Sequence, residues 1–194
     1  MTNDEFCRGV RRGRYNASFT LIELIVVTTV IIILTGLVLT TVGYIQKKGA
    51  RSRAETEIAA MSAACENYKA DNGIYPRNPD TDGLNARIAG NPNTSQYQRA
   101  SLYLYNALFG ATNGSRTPDT GAKSYLIFKP NMLSPADQTQ NVQFIRDPFG
   151  NSYGYSTIQA ATGNTTVGYN PTFDLWSTTG LTSGADSTKW IKNW

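Results

Sequence analysis

The chain contains no histidine among its 194 residues. Histidine is the side chain that most often acts as general base near neutral pH, and it is a common metal ligand, so the usual means of proton transfer is missing. The sequence also has no phosphate-binding loop, no dinucleotide-binding fingerprint and no spaced cysteine cluster. We therefore predict that the protein is not an enzyme.

Cysteine is nearly absent as well, with only Cys7 and Cys65. The two lie on opposite sides of a long apolar stretch, so a bilayer would separate them and we expect no disulfide between them. Cys65 falls on a stripe of apolar residues at helical spacing, which indicates a small buried thiol.

Charged side chains are missing from one continuous stretch, Leu24 to Gln46, which is mostly aliphatic. About 20 apolar residues span a bilayer as a helix, so this stretch is long enough. The rest of the chain is polar and rich in Gly, Asn, Thr and Ser, as extracytoplasmic domains often are. The length of the chain suits one folded domain with one accessory segment.

Basic residues lie on both sides of this apolar stretch. Four arginines precede it within residues 1–18, and Lys47, Lys48, Arg51 and Arg53 follow it, so the positive-inside comparison gives no orientation. A nucleic-acid partner would require a concentrated basic face. The best candidate directly follows the apolar stretch, where basic residues commonly mark a membrane boundary, so we expect a membrane and no nucleic acid.

The order of the N-terminal segments differs from that of a secretory signal, in which the apolar region precedes the cleavage site. Here a basic stretch ends at Ser18 and the apolar segment begins at once with Phe19, so we expect this segment to be retained. Glu23 lies in its first turn. A carboxylate in a spanning helix is a functional hypothesis by default, whereas the helix dipole favours an acid there, and the residues alone leave both interpretations open.

The string from Phe19 to Val27 (FTLIELIVV) resembles the N-terminal signature of type IV prepilins and pseudopilins, and it follows a short basic leader as in that family. The resemblance implies cleavage between Ser18 and Phe19 by a prepilin peptidase, followed by methylation of the new amine. It also implies that Glu23 registers one subunit against the N-terminal amine of a neighbour. The residue before the cut is usually Gly in this family, whereas it is Ser18 here.

Beyond the membrane the helix is expected to continue. Apolar residues spaced four, three, four and three apart predict one buried face, formed by Ala54, Ile58, Met61, Cys65 and Tyr68. Charged residues are expected on the other faces, namely Arg53, Glu55, Glu57, Glu66 and Lys69. The helix is predicted to stop at Asn72-Gly73, because Gly suits the left-handed cap.

The remaining elements predict an α+β fold, in which a long N-terminal helix, transmembrane in its first half, packs on a small antiparallel sheet. A short helix is predicted over residues 100–109, and strands over 124–128, 142–145, 152–158 and 172–176. The predicted organisation is a leader over residues 1–18, a transmembrane and filament-core helix over 19–46, and a periplasmic head over 47–194.

Three further strings resemble the major pseudopilins of type II secretion systems: Tyr68 to Pro76, Asp147 to Tyr153 and Phe173 to Ser177. They imply a subunit that polymerises with its own copies and other pseudopilins, on an inner-membrane assembly platform, into a pseudopilus that drives protein export across the outer membrane. Residues 77–140 carry no motif of this family, and we expect an insertion there.

The same resemblance implies Ca²⁺ in the loop after the last strand, held by Asp186 and the Thr178 carbonyl. Asp186 is the only side-chain carboxylate after Asp174, whereas Ca²⁺ takes six to eight oxygens and usually more than one carboxylate. The ligand count therefore favours a tail held by tryptophan packing, through Trp176, Trp190 and Trp194.

Two classes of function remain open. The chain is either a structural subunit, of a pseudopilus or of a longer type IV pilus, or a monomeric membrane-anchored extracytoplasmic binding module. The leader and the placement of Glu23 favour the structural subunit, because an anchor needs neither. The expected location is the inner membrane, as a single-pass precursor with a periplasmic head, and then the periplasmic pseudopilus.

Overall fold

The structure, a computed structural model, describes residues 19–183 and 187–194, with the backbone alone over residues 39–42. Within these residues the chain is α+β, with a long N-terminal helix and small antiparallel sheets. It divides into two compact units, one ending at Ile45 and the other running from Gln46 to Trp194.

Helix α1 spans Leu21–Asn72 and is 52 residues long. Proline, which would remove a backbone donor and break the helix, does not occur in this range. The helix ends where Gly73 adopts a φ of +79° and its N–H donates to the Lys69 carbonyl at 2.8 Å. The predicted stop at Asn72-Gly73 is therefore confirmed.

The part of α1 in the first unit exposes the aliphatic side chains that the structure describes. Leu21 is 76% exposed and Ile32 is 71% exposed. By length and composition this helix could cross a membrane, and no part of its most apolar window is buried. Exposed aliphatic surface of this extent is unfavourable in water, at about 25 cal/mol per Å².

The part of α1 in the second unit supplies one side of the main core. The predicted stripe is confirmed, because Ala54, Ile58, Met61 and Cys65 are buried and Tyr68 packs against them. The prediction for Glu57 is wrong, since this residue is buried at 8% exposure.

Two hydrogen bonds explain the burial of Glu57. Tyr153 donates its hydroxyl to one carboxylate oxygen at 2.7 Å, and Arg53 donates its Nε–H to the other at 2.7 Å. A buried acid is tolerated when its oxygens have donors. Burial and the neighbouring carboxylate raise the pKa of Tyr153 well above its ordinary value, so this residue remains a donor.

Three shorter helices follow, α2 (Pro79–Asp82), α3 (Ser95–Phe109) and α4 (Ile158–Thr162). Helix α3 begins five residues before its predicted start and ends as predicted at Gly110, whose φ is +76°. Helix α2 begins with a capping box that Asn78 and Thr81 form.

The strands are short and form two antiparallel sheets. Strands β1 (Leu133–Ser134) and β2 (Phe144–Ile145) form one pair. Strands β3 (Gly154–Ser156), β4 (Asp174–Ser177) and β5 (Ile191–Lys192) form the other sheet, in the order β3-β4-β5. In its register Tyr155 lies opposite Leu175 and Ser177 lies opposite Ile191.

The prediction of a strand over residues 124–128 is wrong. Although this segment is extended, it pairs with no strand that the structure describes. The N–H groups of Tyr125 and Leu126 instead donate to the Leu108 carbonyl at the end of α3, at 2.7 and 3.1 Å. Ile127 is 83% exposed. The segment therefore closes the C-terminus of a helix and does not extend a sheet.

The core of the second unit contains two clusters. The larger packs α1 against α3 and the strands. The smaller, which we call the tryptophan cluster, consists of Leu84, Ala86, Tyr97, Ala100, Trp176 and Trp190. Residues 77–140 contribute buried side chains to both clusters, so this segment is integral to the head.

Candidate functional site

The beginning of α1 carries two of the residues assigned to processing and assembly. Phe19 lies just before the helix and is 84% exposed. Glu23 lies in the first helical turn. Ser18, the residue before the expected cut, lies outside the described residues.

Thr20 and Glu23 form a reciprocal cap at this helix end. The Thr20 Oγ1 accepts the Glu23 N–H at 3.3 Å, and Glu23 Oε2 accepts the Thr20 N–H at 2.9 Å. The Thr20 hydroxyl also donates to Oε2 at 2.7 Å. This arrangement is a capping box, which provides partners for backbone donors that the first turn otherwise leaves unpaired. It was not predicted from the sequence, although the spacing Thr-x-x-Glu is its signature.

The cap uses only one oxygen of the Glu23 carboxylate. Among the described residues, no donor lies within hydrogen-bonding distance of Oε1. An ionised carboxylate has about four acceptor positions, so Glu23 retains capacity for a further cation. The local and the intermolecular interpretations of Glu23 are therefore compatible with each other.

Apolar side chains surround this carboxylate. Phe19, Ile22, Val26 and Val27 line a shallow hollow together with Glu23. Their exposed fractions range from 52% for Val27 to 84% for Phe19. A partner that covered this surface would desolvate the carboxylate, and a matching positive charge would then become a strong requirement.

The proposed calcium ligands lie in the loop after β4. The Thr178 carbonyl already accepts a hydrogen bond from the Thr179 hydroxyl at 2.7 Å and one from the Leu181 N–H at 3.1 Å. Among the described residues no group of three acidic, His or Cys side chains could hold a metal ion. Asp186 lies outside the described residues. The calcium site therefore stays a prediction.

Tryptophan packing holds the C-terminal tail, as the alternative prediction expected. The rings of Trp176 and Trp190 stack at a centroid distance of 5.9 Å and an angle of 11°. Trp194 meets Trp176 edge-on at 5.9 Å and stacks on Tyr169 at 4.5 Å. These contacts attach β5 and the chain terminus to the tryptophan cluster.

The close approach of β3 to this cluster requires glycine. A Cβ atom added at Gly154 would lie 2.2 Å from the ring of Trp176. Trp176 is fully buried and packed on both Tyr97 and Trp190, so the ring has no space to move. The glycine between Tyr153 and Tyr155 is thus explained by contact with the tryptophan.

The turn that begins at Asp147 belongs to one of the strings that resemble pseudopilins, and it is hydrogen-bonded to another, Phe173 to Ser177. The buried Asp147 carboxylate accepts the N–H groups of Phe149 at 3.0 Å and Asn151 at 2.8 Å. It also accepts the hydroxyl of Ser177 on β4. Burial raises the pKa of Asp147, and these donors oppose that change. The carboxylate therefore connects the turn to the central strand.

No family model, no curated protein and no solved structure matches this chain.

Proposed function

We propose that the chain is a structural subunit that polymerises into a type II secretion-like pseudopilus. It is made as a precursor, cleaved between Ser18 and Phe19 by a prepilin peptidase and methylated on the new amine. The helix α1 first anchors it in the inner membrane as a single-pass protein with a periplasmic head. It then assembles with its own copies and other pseudopilins on an inner-membrane platform.

The observation that supports this proposal best is the combination of exposed apolar surface and one carboxylate at the start of α1. Glu23 is the only charged residue between Phe19 and Gln46. The surrounding aliphatic side chains require lipid or other helices to cover them. A subunit whose helix moves from lipid into a bundle of identical helices satisfies this requirement at both stages.

The position of Glu23 suits contact with a neighbour's N-terminus. Cleavage before Phe19 would create an amine four residues before this carboxylate, at the same end of every subunit. The cap by Thr20 holds the carboxylate through Oε2 and leaves Oε1 for that amine. A charge-assisted bond of this kind contributes about 1.5–3 kcal/mol. Its electrostatic attraction is stronger where water is excluded.

The same features fit a longer type IV pilus, which shares the leader, the cleavage and the helical core. A monomeric anchored binding module explains them less well, because an anchor requires neither cleavage before the apolar segment nor a carboxylate in its first turn.

The proposal is tested by producing the full-length chain in cells that contain a secretion ATPase, a platform protein and a prepilin peptidase. We expect filaments that shearing releases from the cells and that electron microscopy detects with antibody against the head. Cells without the ATPase are the control. A chain that stays in the membrane as a monomer, although the machinery assembles its own pseudopilins, would refute the proposal.

A further inference from the structure

The carboxylates of the head are almost all paired within the chain. In the part of the chain that the structure describes, the exposed Asp119 carboxylate has neither a hydrogen bond nor an ion pair. Every other described side-chain carboxylate has at least one donor or basic partner. Asp119 is therefore an acid whose charge nothing in the described chain balances.

Basic side chains lie together elsewhere on the head. Arg146, Arg53 and Asn131 line a polar hollow of about 320 Å³ beside the turn that begins at Asp147. An adjoining hollow of about 320 Å³ shares Arg53 and Asn131 and adds Lys129 and Glu57, whose two oxygens already accept from Arg53 and Tyr153. Arg146 and Lys129 form no ion pair with any acid that the structure describes, and Arg53 uses its Nε toward Glu57. We call Arg53, Lys129, Asn131 and Arg146 the Arg146 surface.

The Arg146 surface and the segment after Asp119 contact different parts of helix α1. The Arg146 surface includes Arg53, near the beginning of the head part of α1. The turn at Asp119 leads directly into Lys123, which pairs with Asp71 in the last turns of α1. Arg53 and Asp71 are eighteen residues apart in the sequence, or about 27 Å along a helix. Within one chain, the Asp119 carboxylate forms no ion pair with any described residue of the Arg146 surface.

We propose that Asp119 of one copy binds the Arg146 surface of the next copy, an inference that rests on the proposed filament. The contact joins different surfaces of the two copies, and such a heterologous contact repeats indefinitely when its rotation does not close a ring. A guanidinium offers a carboxylate two parallel hydrogen bonds, which fixes direction as well as distance. Each added subunit would present its own unpaired acid or its own basic hollow to the following one.

The contact sets the register between heads, while the apolar helices supply most of the association energy. Charged groups across an interface contribute more to partner choice and orientation than to affinity. The surface would therefore select copies of this chain over other subunits that share the same helical core.

The test is a charge exchange in the full-length chain, in cells that contain the assembly machinery. We expect Asp119→Lys and Arg146→Asp each to lower the filament yield by about tenfold, the effect of losing one charged contact. The variant that carries both changes should regain most of the yield. Membrane-inserted protein, measured by immunoblot, should remain at the level of the unchanged chain in all three.

Glu55→Lys is the matched control, because it makes the same charge change at an exposed acid that the proposed contact does not use. We expect it to assemble normally. A cysteine pair gives a second measurement that does not depend on yield. A chain with Asp119→Cys and Arg146→Cys should form cross-linked ladders in filaments treated with a short bis-maleimide, which spans the length of the lost ion pair, and only monomers without the ATPase.

The outcomes separate this inference from the proposed function. Absence of filaments from the unchanged chain would refute both. Filaments at normal yield from Asp119→Lys, a double variant as poor as the single ones, or filaments without cross-links would overturn the contact alone. Loss of assembly in Arg146→Asp but not in Asp119→Lys would assign the surface to another anion, such as a lipid phosphate, and would also overturn it.

Discussion

At the scale of single residues, the Glu23 carboxylate has two roles in the proposed filament, one in the helix cap and one in contact with a neighbour. Its Oε2 completes the cap with Thr20, and its Oε1 is left for a partner in the proposed filament. The two roles can be separated by mutation, because Thr20 can be changed without removing the acid.

We expect Glu23→Ala to insert into the membrane at the normal level and to assemble poorly. The change removes the partner of a desolvated amine, whereas the matched variant Thr20→Ala removes only the hydroxyl bonds of the cap, which are worth about 1 kcal/mol. Thr20→Ala should therefore retain most of the filament yield. Sheared filaments and membrane-inserted protein are measured side by side, and normal filament yield from Glu23→Ala would mean that the acid serves the cap alone.

A second residue-scale prediction concerns the pH dependence of head stability. Burial raises the pKa values of Asp147 and Asp174 above the ordinary value of 3.8. The folded head then binds protons more tightly than the unfolded chain, so its stability falls as the pH rises from about 3.8 through the raised pKa values. Hydrogen bonds lower the pKa values of Asp71 and Asp137, which act in the opposite direction but below 3.8.

Urea unfolding of a truncated chain, residues 46–194, measures this effect. We expect its free energy of unfolding to decline as the pH rises from about 4, until both carboxyl groups are ionised in the folded head. Asp147→Asn keeps an acceptor for Phe149 and Asn151 and removes the titration, so its decline should be shallower. An equally steep decline in this variant would show that Asp147 is not its source.

At the scale of elements, the fit between β3 and β4 depends on Gly154. We expect Gly154→Ala to destabilise the head by about 1–3 kcal/mol, because the added Cβ would overlap the buried ring of Trp176. Gly49→Ala is the control, since nothing lies within 4 Å of its added Cβ in helix α1. That change should stabilise the head by roughly 0.5–1 kcal/mol. Equal effects of the two changes in thermal unfolding would contradict this packing.

The attachment of the tail gives a second element-scale prediction. Trp190→Ala should lower stability by about 3–5 kcal/mol, because it removes a buried ring stacked on Trp176. Asp186→Ala and EDTA should each change the melting temperature only slightly. A bound ion would instead stabilise the fold by about 2.7 kcal/mol at a hundredfold excess over its Kd. A large EDTA effect that disappears in Asp186→Ala would restore the calcium prediction.

The elements differ in how far the sequence could predict them. The buried stripe of α1 and its stop at Gly73 follow from spacing and from the left-handed cap, so local residues suffice. Strands β1 and β5 are two residues long, too short to show alternation. The segment 124–128 has the composition of a strand, but its N–H groups are taken up by the end of a helix.

The candidate site shows the same division. The capping box of Thr20 and Glu23 involves residues only three positions apart, so the spacing alone would have identified it. The burial of Glu57 depends on Tyr153, which lies 96 residues away in the sequence, so no local pattern predicts it. The unpaired state of Asp119 is likewise visible only in the fold, because the sequence does not show which carboxylates meet a donor.

At the scale of the whole molecule, the two units have different tasks in the proposed filament. The described residues of the unit that ends at Ile45 present apolar surface and one side-chain carboxylate, which suits a bilayer and then a helical bundle. The unit from Gln46 onward carries a packed core, a tail held by tryptophans and unpaired charges of opposite sign. The first unit provides association and the second provides register.

Intact-mass analysis of the protein extracted from membranes and filaments tests the central claim most directly. The leader and the boundary between Ser18 and Phe19 predict the mass of residues 19–194 with one added methyl group. Cells without the prepilin peptidase should give the full chain, and a change of Phe19 to a residue that the peptidase rejects should do the same. A chain that retains residues 1–18 in cells with an active peptidase would contradict the proposed function.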